Sequence, residues 1–197
     1  NSLKEKRELE GKMKVEPIID LKSVKSIKKI LSDAPRDKLL FVMGVNSGLR
    51  VQDLLALKIG DVKDVKVGER ITLREKKTGK ENVIILNKET KAALDGYLAT
   101  VKDDDDHFLF KSRKGRNYPL TTYAVTKYMK KWTEAINLNG NYGAHSLRKT
   151  WTYHQRKTFG VSWEVLAKRL NHSSPSITRR YLGIQEEEVE EILMNSI

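Results

Sequence analysis

Between residues 18 and 57 apolar side chains recur at helical spacing. Asp20 or Ser23 can cap a helix that carries Val24, Ile27, Ile30 and Leu31 on one face. From Asp33 to Gly48 the positions Leu39, Leu40, Val42, Met43 and Val45 are apolar nearly all round, the pattern of a helix buried on every side. Gly48 breaks it, and Val51, Leu54, Leu55 and Leu57 predict a third helix. The period then changes. Residues 62–67, 70–74 and 82–86 read as short strands, separated by the turn signals Val67-Gly68-Glu69 and Thr78-Gly79-Lys80. Helix returns over 88–100. Residues 102–107, with four consecutive Asp, read as a solvated loop, and 111–119 as a basic loop rich in Gly, Pro and Asn. Further helices are expected over 121–137, 146–159, 162–170 and 174–181. A last acidic one, over 186–194, carries Val189, Ile192 and Leu193. The expected fold class is mostly α with a small antiparallel β-sheet (α+β). The expected organisation is a linker or arm over 1–17, one domain over 18–185 and an amphipathic helical tail over 186–197.

Composition narrows the partners. The chain has 197 residues, with 39% hydrophobic and 32% charged positions, enough for one medium domain with a core. Its formal net charge of +12 favours a polyanionic partner, most simply nucleic acid. A basic but merely soluble protein would share that balance. The absence of cysteine excludes disulfides, thiolate metal sites and a cysteine nucleophile. Four His without an H-x-x-x-H pair make a poor metal ligand set. No apolar stretch approaches the roughly eighteen residues of a membrane span. The polar N-terminus lacks a Met, from which we expect a fragment with a further domain upstream.

Several short motifs carry possible chemistry. His145 and Arg148, three apart at the start of a predicted helix, share a face, while Leu147 and Trp151 take the neighbouring face toward the core. Taken alone, H-x-x-R is common and would equally be a capping His with a solvated Arg. Arg50 follows Ser47-Gly48-Leu49 at a helix break, and Asp53 is placed to orient it or to hold that turn. A surface Arg–Asp pair of little energetic weight would look the same. Lys77 sits in K-K-T-G-K between two predicted strands, where Lys76 and Lys80 compete with it. Tyr181 ends N-H-S-S-P-S-I-T-R-R-Y, nine residues after His172 and beside Arg179 and Arg180, cations that would lower a phenol's pKa. A buried tyrosine with a bonded hydroxyl is the commoner fate. Together the pieces amount to more. Two guanidiniums can grip the crowded, extra-charged transition state of a phosphodiester attacked in line. A Lys and a His can move protons, and a phenol can attack and store the bond energy.

At these residues the chain resembles the tyrosine recombinase (phage integrase) family, over about 20–185. G-L-R-V-Q-D is similar to the segment with the first catalytic Arg, here Arg50, and its acidic supporter, here Asp53. K-K-T-G-K resembles the hairpin that bears the catalytic Lys, here Lys77. A-H-S-L-R resembles the H-x-x-R box, which makes His145 and Arg148 the next members, and the closing box supplies His172 and the nucleophile Tyr181. Asn171 stands where Gly is usual before the His, Ala144 where Thr is usual, and Asp53 where Glu is more usual. The resemblance implies a mostly α catalytic domain over 18–185 and strand cleavage through a 3′-phosphotyrosine bond without metal, ATP or other cofactor. It also implies exchange within a tetramer on double-stranded DNA, with the C-terminal tail packing on a neighbouring subunit, although a tail folded back on its own domain is the alternative. No membrane and no small-molecule substrate are implied. A cytoplasmic, nucleoid-associated protein of bacterial or phage origin that integrates or excises a mobile element would follow. The core-binding domain usual upstream in the family is missing from this sequence. Arg179, Arg180, Lys76, Lys80, Lys114 and Arg116 are expected to touch DNA phosphates, with Lys127, Lys130 and Lys131 as further guesses. Two other functions share these features: a type IB topoisomerase-like enzyme, and a catalytically silent DNA-binding regulator with the same fold.

Overall fold

The apolar run 39–43 forms the centre of the molecule. In the computed structural model, which describes residues 14–183 and 187–197, it lies in α2 (Pro35–Ser47), entered through a proline at its first turn and ended by Gly48 at φ 67°. Leu39, Leu40, Phe41, Val42, Met43 and Gly44 are all buried, as an all-round apolar helix requires. Before it, α1 (Leu21–Ile30) starts at Asp20, whose carboxylate accepts from Lys22 N, and buries Val24 and Ile27. After it come the short turns α3 (Val51–Leu54) and α4 (Ile59–Val62).

The sheet has two strands rather than three. β1 (Arg70–Arg74) pairs antiparallel with β2 (Glu81–Ile85), Arg70 opposite Ile85 and Arg74 opposite Glu81. The expected strand at 62–67 is absent: Val62 closes α4, and turns follow to Gly68. Asp61 accepts from the Lys58 N–H, which starts a helical turn that alternating apolar residues alone do not reveal. The acidic loop is also more tied down than its composition suggests. Ile59 N and Gly60 N donate to the carbonyls of His107 and Asp105, and Asp103 accepts from Lys111 at 2.6 Å.

The remaining elements are α5 (Lys88–Leu98), α6 (Thr122–Ala135), α7 (His145–Lys157), α8 (Trp163–Arg169), α9 (Pro175–Leu182) and α10 (Glu187–Leu193). Helix α7 packs across α2, and the approach is close because position 44 has no side chain. A Cβ there would meet Leu147 Cδ1 at 2.8 Å and its Cβ at 3.0 Å. Gly48 is doubly constrained, by its left-handed backbone and by the Trp151 ring, 2.6 Å from where a Cβ would stand.

Two apolar clusters result. The large one spans α1 to α7 and includes Leu147. A small one, Trp163 and Leu166 with Trp151, Tyr153, Val161 and Leu182 against them, supports α8 and α9. The segment 14–18 runs along α7: Ile18 is fully buried, its N–H donates to Thr150 Oγ1, and its carbonyl meets His154 Nε2 at 2.8 Å. The rest of the expected arm, 1–13, lies outside the described residues. Helix α10 is tied back to its own domain by Glu188, which accepts from Arg156 Nε and Trp163 Nε1, while Val189, Ile192 and Leu193 stay exposed. No helix among the described residues is long and apolar enough to cross a membrane.

Leu147 is fully buried where α7 crosses α2. Leu147→Ala is expected to destabilise the protein by about 2–5 kcal/mol, read as a lower urea midpoint at unchanged m-value.

Candidate active site

Six side chains from distant parts of the chain line one open cleft of about 660 Å³: Arg50, Lys77, His145, Arg148, His172 and Tyr181. Each arrives by a local device. Arg50 is the N-cap of α3, just beyond the left-handed Gly48. Lys77 is carried at the exposed turn between β1 and β2, closed by Glu75 N donating to Lys80 O. This picks it out from Lys76 and Lys80, which do not line the cleft. His145 and Arg148 leave the first turn of α7 on one face, as their spacing requires. His172 follows Asn171, a residue in the left-handed region at φ 57°, and Tyr181 stands in the last turn of α9.

Arg148 is only 5% exposed, and its Nη2 donates to Leu170 O at 2.9 Å. Its Nε is buried with no hydrogen-bond partner. Burial lowers its pKa to about 10, against the opposing pull of Tyr181. His172 is oriented by a 2.8 Å contact between Nδ1 and the buried Thr178 hydroxyl. Its ring meets that of Tyr181 edge-on at 5.6 Å between centroids. Burial, then the charges of Arg148, Arg50 and Lys77, push its pKa down to about 4. His145 is lowered too, by burial of part of its ring and then by Lys149, Arg148, Arg50 and Lys77. Both imidazoles are therefore neutral at neutral pH.

The Tyr181 phenol behaves opposite to the expectation from its cationic company. Burial dominates and pushes it up to about 12, and only part of that rise is offset by Arg148 and Arg50. The neighbouring Arg179, expected to depress it, instead lies over the Trp163 ring at 5.5 Å. Arg180 lines the cleft. The ammonium that covers the Tyr181 ring is Lys149, at 5.0 Å, held by a bond to Val15 O. Sequence reasoning missed Lys149, because a lysine inside a helix next to Arg148 reads as a solvated charge. It also missed Lys14, Val15 and Ile177, which complete the cleft wall.

Asp53 does not bond to Arg50 among the described contacts. Its Oδ1 accepts from Lys76 N at 2.9 Å, so it anchors the hairpin turn, and its Oδ2 is buried without a partner. The carboxylate on Arg50 is Glu75, 3.1 Å from Nη1. Lys114 and Arg116 are exposed on their loop and do not line the cleft, and Lys127 stands over the exposed Tyr123 ring at 4.7 Å.

Residues 17–188 match the phage integrase family. The chain is 35% identical over 175 residues to a probable integrase/recombinase, YoeC, of Bacillus subtilis, covering 88% of this chain and 92% of that protein. It is 31% identical over 169 residues to tyrosine recombinase XerA of Pyrococcus horikoshii, covering 85% of this chain and 58% of that one. The crystal structure of XerA recombinase has a TM-score of 0.73 at 22% identity, over 92% of this chain and 65% of that one. The structure of XerH site-specific recombinase bound to a palindromic difH substrate, a post-cleavage complex, has a TM-score of 0.70 at 26% identity, over 87% of this chain and 49% of that one. The chain thus spans nearly all of the Bacillus protein and about half to two thirds of the others.

The depressed pKa of His172 has a consequence for stability. Between pH 6.5, its ordinary value, and about 4, the unfolded chain binds a proton there that the folded chain does not. The folded state therefore loses stability as pH falls through this window. Urea midpoints measured at pH 7 and pH 5 are expected to drop less for His172→Gln than for the wild type. Equal drops would mean that His172 titrates normally in the folded protein.

Proposed function

Since this chain belongs to the phage integrase family, we propose that it recombines DNA at a specific site, cutting and rejoining strands through a 3′-phosphotyrosine on Tyr181. What carries the reading is the convergence in one cleft of a phenol, two arginines, a lysine and two neutral imidazoles from five separate segments. A binding protein needs the cations but has no use for a half-buried phenol set among them.

The geometry supports a role for each residue. Arg148, buried and with an unspent Nε–H, grips one non-bridging oxygen of the scissile phosphate, and Arg50 grips the other. Their charges are worth most in the transition state, when negative charge on those oxygens grows. The Tyr181 oxygen attacks phosphorus, the P–O5′ bond breaks and the phenolic proton leaves. With the phenol near 12, that proton must be lost in the step itself. Neutral His172 and His145 can accept or share it by way of the phosphate oxygens. Lys77, on an exposed turn, delivers a proton to the departing 5′-oxygen. Rejoining runs the same steps backward with a new 5′-hydroxyl, so neither ATP nor a metal enters the balance.

Around the cleft, Lys14 and Arg180 extend the positive surface along which a duplex would lie, with Lys76 and Lys80 at the hairpin. Lys114, Arg116, Lys127 and Arg179 would add phosphate contacts further out. The exposed Val189, Ile192, Leu193 and Met194 on and just after α10 are the natural surface for a neighbouring subunit in a tetramer on DNA.

The test uses a pool of nicked duplexes of random sequence, in which cleavage releases a short strand and traps the covalent intermediate. The wild type is expected to give an SDS-resistant protein–DNA adduct, and Tyr181→Phe none. An adduct that persists in Tyr181→Phe would remove the nucleophile. Arg148→Ala is expected to lower the cleavage rate by about 10²–10³ while duplex binding changes little, measured by filter binding at fixed salt.

A further inference from the structure

Glu75 sits just past β1, is 2% exposed, and belongs to none of the motifs that mark the cleft. Its carboxylate takes four donors. Oε2 accepts from Arg50 Nη1 at 3.1 Å and Asn82 Nδ2 at 3.2 Å. Oε1 accepts from Asn171 Nδ2 at 2.7 Å and the Thr78 hydroxyl at 2.8 Å. An ionised carboxylate has about four lone-pair sites, so this one is saturated. Burial pushes its carboxyl pKa up, but the bonds from Thr78, Asn82 and Asn171 and the charge of Arg50 outweigh it, and the group sits below its ordinary value.

Those four donors come from three of the five segments that carry the reacting groups. Arg50 is itself one. Thr78 is next to Lys77 on the hairpin turn, and Asn171 is next to His172. The surrounding contacts fix the hub further. Asp53 holds the backbone of Lys76, and Arg169 donates to Asn82 Oδ1 and Ser47 O, which turns the Asn82 amide nitrogen toward Glu75. Asn171 explains itself in the same terms. Its position needs a left-handed backbone, where glycine costs least and asparagine next least. Asparagine keeps that turn and adds a donor that a glycine lacks.

We propose that Glu75 is a positioning residue for strand cleavage: it aims the Arg50 guanidinium at the scissile phosphate, and Asn171 latches it to the His172 turn. Glu75 touches no substrate and acts through Arg50. The proposal rests on the reading of the cleft given above.

The test compares wild type, Glu75→Gln, Asn171→Gly and the double variant on a duplex that the wild type cleaves. A second version of that duplex carries a methylphosphonate at the scissile position, which removes the charged non-bridging oxygen. Glu75→Gln is expected to slow cleavage about a hundredfold on the phosphate, the scale of a small misplacement of a catalytic group, with unchanged duplex binding. On the methylphosphonate its penalty shrinks to about threefold, because Arg50 has lost the charge it was aimed at. Asn171→Gly costs about tenfold, and the double variant is no slower than Glu75→Gln, because the two act as one unit. Cleavage at the wild-type rate by Glu75→Gln, or an equal penalty on both duplexes, overturns the proposal.

A readout without DNA separates it from the broader reading. In Asn171→Gly, which keeps the backbone geometry, the amides of residues 75–80 are expected to exchange with deuterium about tenfold faster. Unchanged exchange there refutes the latch whether or not any duplex is cleaved. A wild type that forms no adduct on any duplex, with the hairpin loosened in Asn171→Gly as expected, refutes the recombinase reading and with it the catalytic role of Glu75, leaving the latch as structure alone.

Discussion

Like charges must be crowded around a phenol, and the crowd must be kept from flying apart; most of this structure answers that constraint. Arg50, Lys77, Arg148 and Lys149 converge on Tyr181, and Arg169 stands just behind them. Water is largely excluded from Arg148, so its charge is poorly screened. What holds the group together is a set of acceptors placed by the backbone. Leu170 O takes Arg148, Val15 O takes Lys149, Ser47 O takes Arg169, and the buried Glu75 carboxylate takes Arg50. Carbonyls at helix and loop ends are suited to this, since they have no partner within their own helix.

The same crowd sets the protonation states. A phenol among cations should ionise more easily, yet Tyr181 moves the other way because burial outweighs the nearby charges. The two histidines are driven neutral by burial and cations acting in the same direction. The cleft at rest thus combines a phenol raised above its ordinary pKa, two imidazoles shifted toward the neutral form and fixed positive charge. Helix α9 adds a mechanical side to this. Its only fully buried residue is Thr178, and its Leu182 packs on the small cluster around Trp163, apart from the main core.

Much of the site was legible in the sequence because its parts are local. His145 and Arg148 share a helical face by spacing alone, Gly48 marks the break before Arg50, and Asn171-His172-Ser173-Ser174-Pro175 marks a turn ahead of a helix. Residues whose meaning is a long-range contact were not legible. Glu75 stands in a run of charges, and nothing in Arg74-Glu75-Lys76-Lys77 separates a buried hub from an exposed hairpin charge. Asp53, three residues after Arg50, was expected to orient it or to hold that turn, but its carboxylate accepts from the hairpin backbone at Lys76, a long-range contact that spacing does not reveal. The strand expected at 62–67 failed for a related reason. Alternating apolar residues say little when a turn cap at Asp61 and the loop at 105–107 hold the chain in another shape.

The sequence by itself determined the longer helices, the β1–β2 hairpin, the excess of positive charge and the residue types able to attack and grip a phosphodiester, since each depends on neighbours within a few residues. Only the tertiary structure decided which lysine of the hairpin faces the cleft, which carboxylate holds Arg50, and that burial raises the pKa of the Tyr181 phenol where its cationic company alone would lower it. Those outcomes depend on burial and on distances between segments as far apart as Arg50 and Asn171. Such distances come from packing α7 against α2 through Gly44 and Leu147, and local patterning carries no record of them.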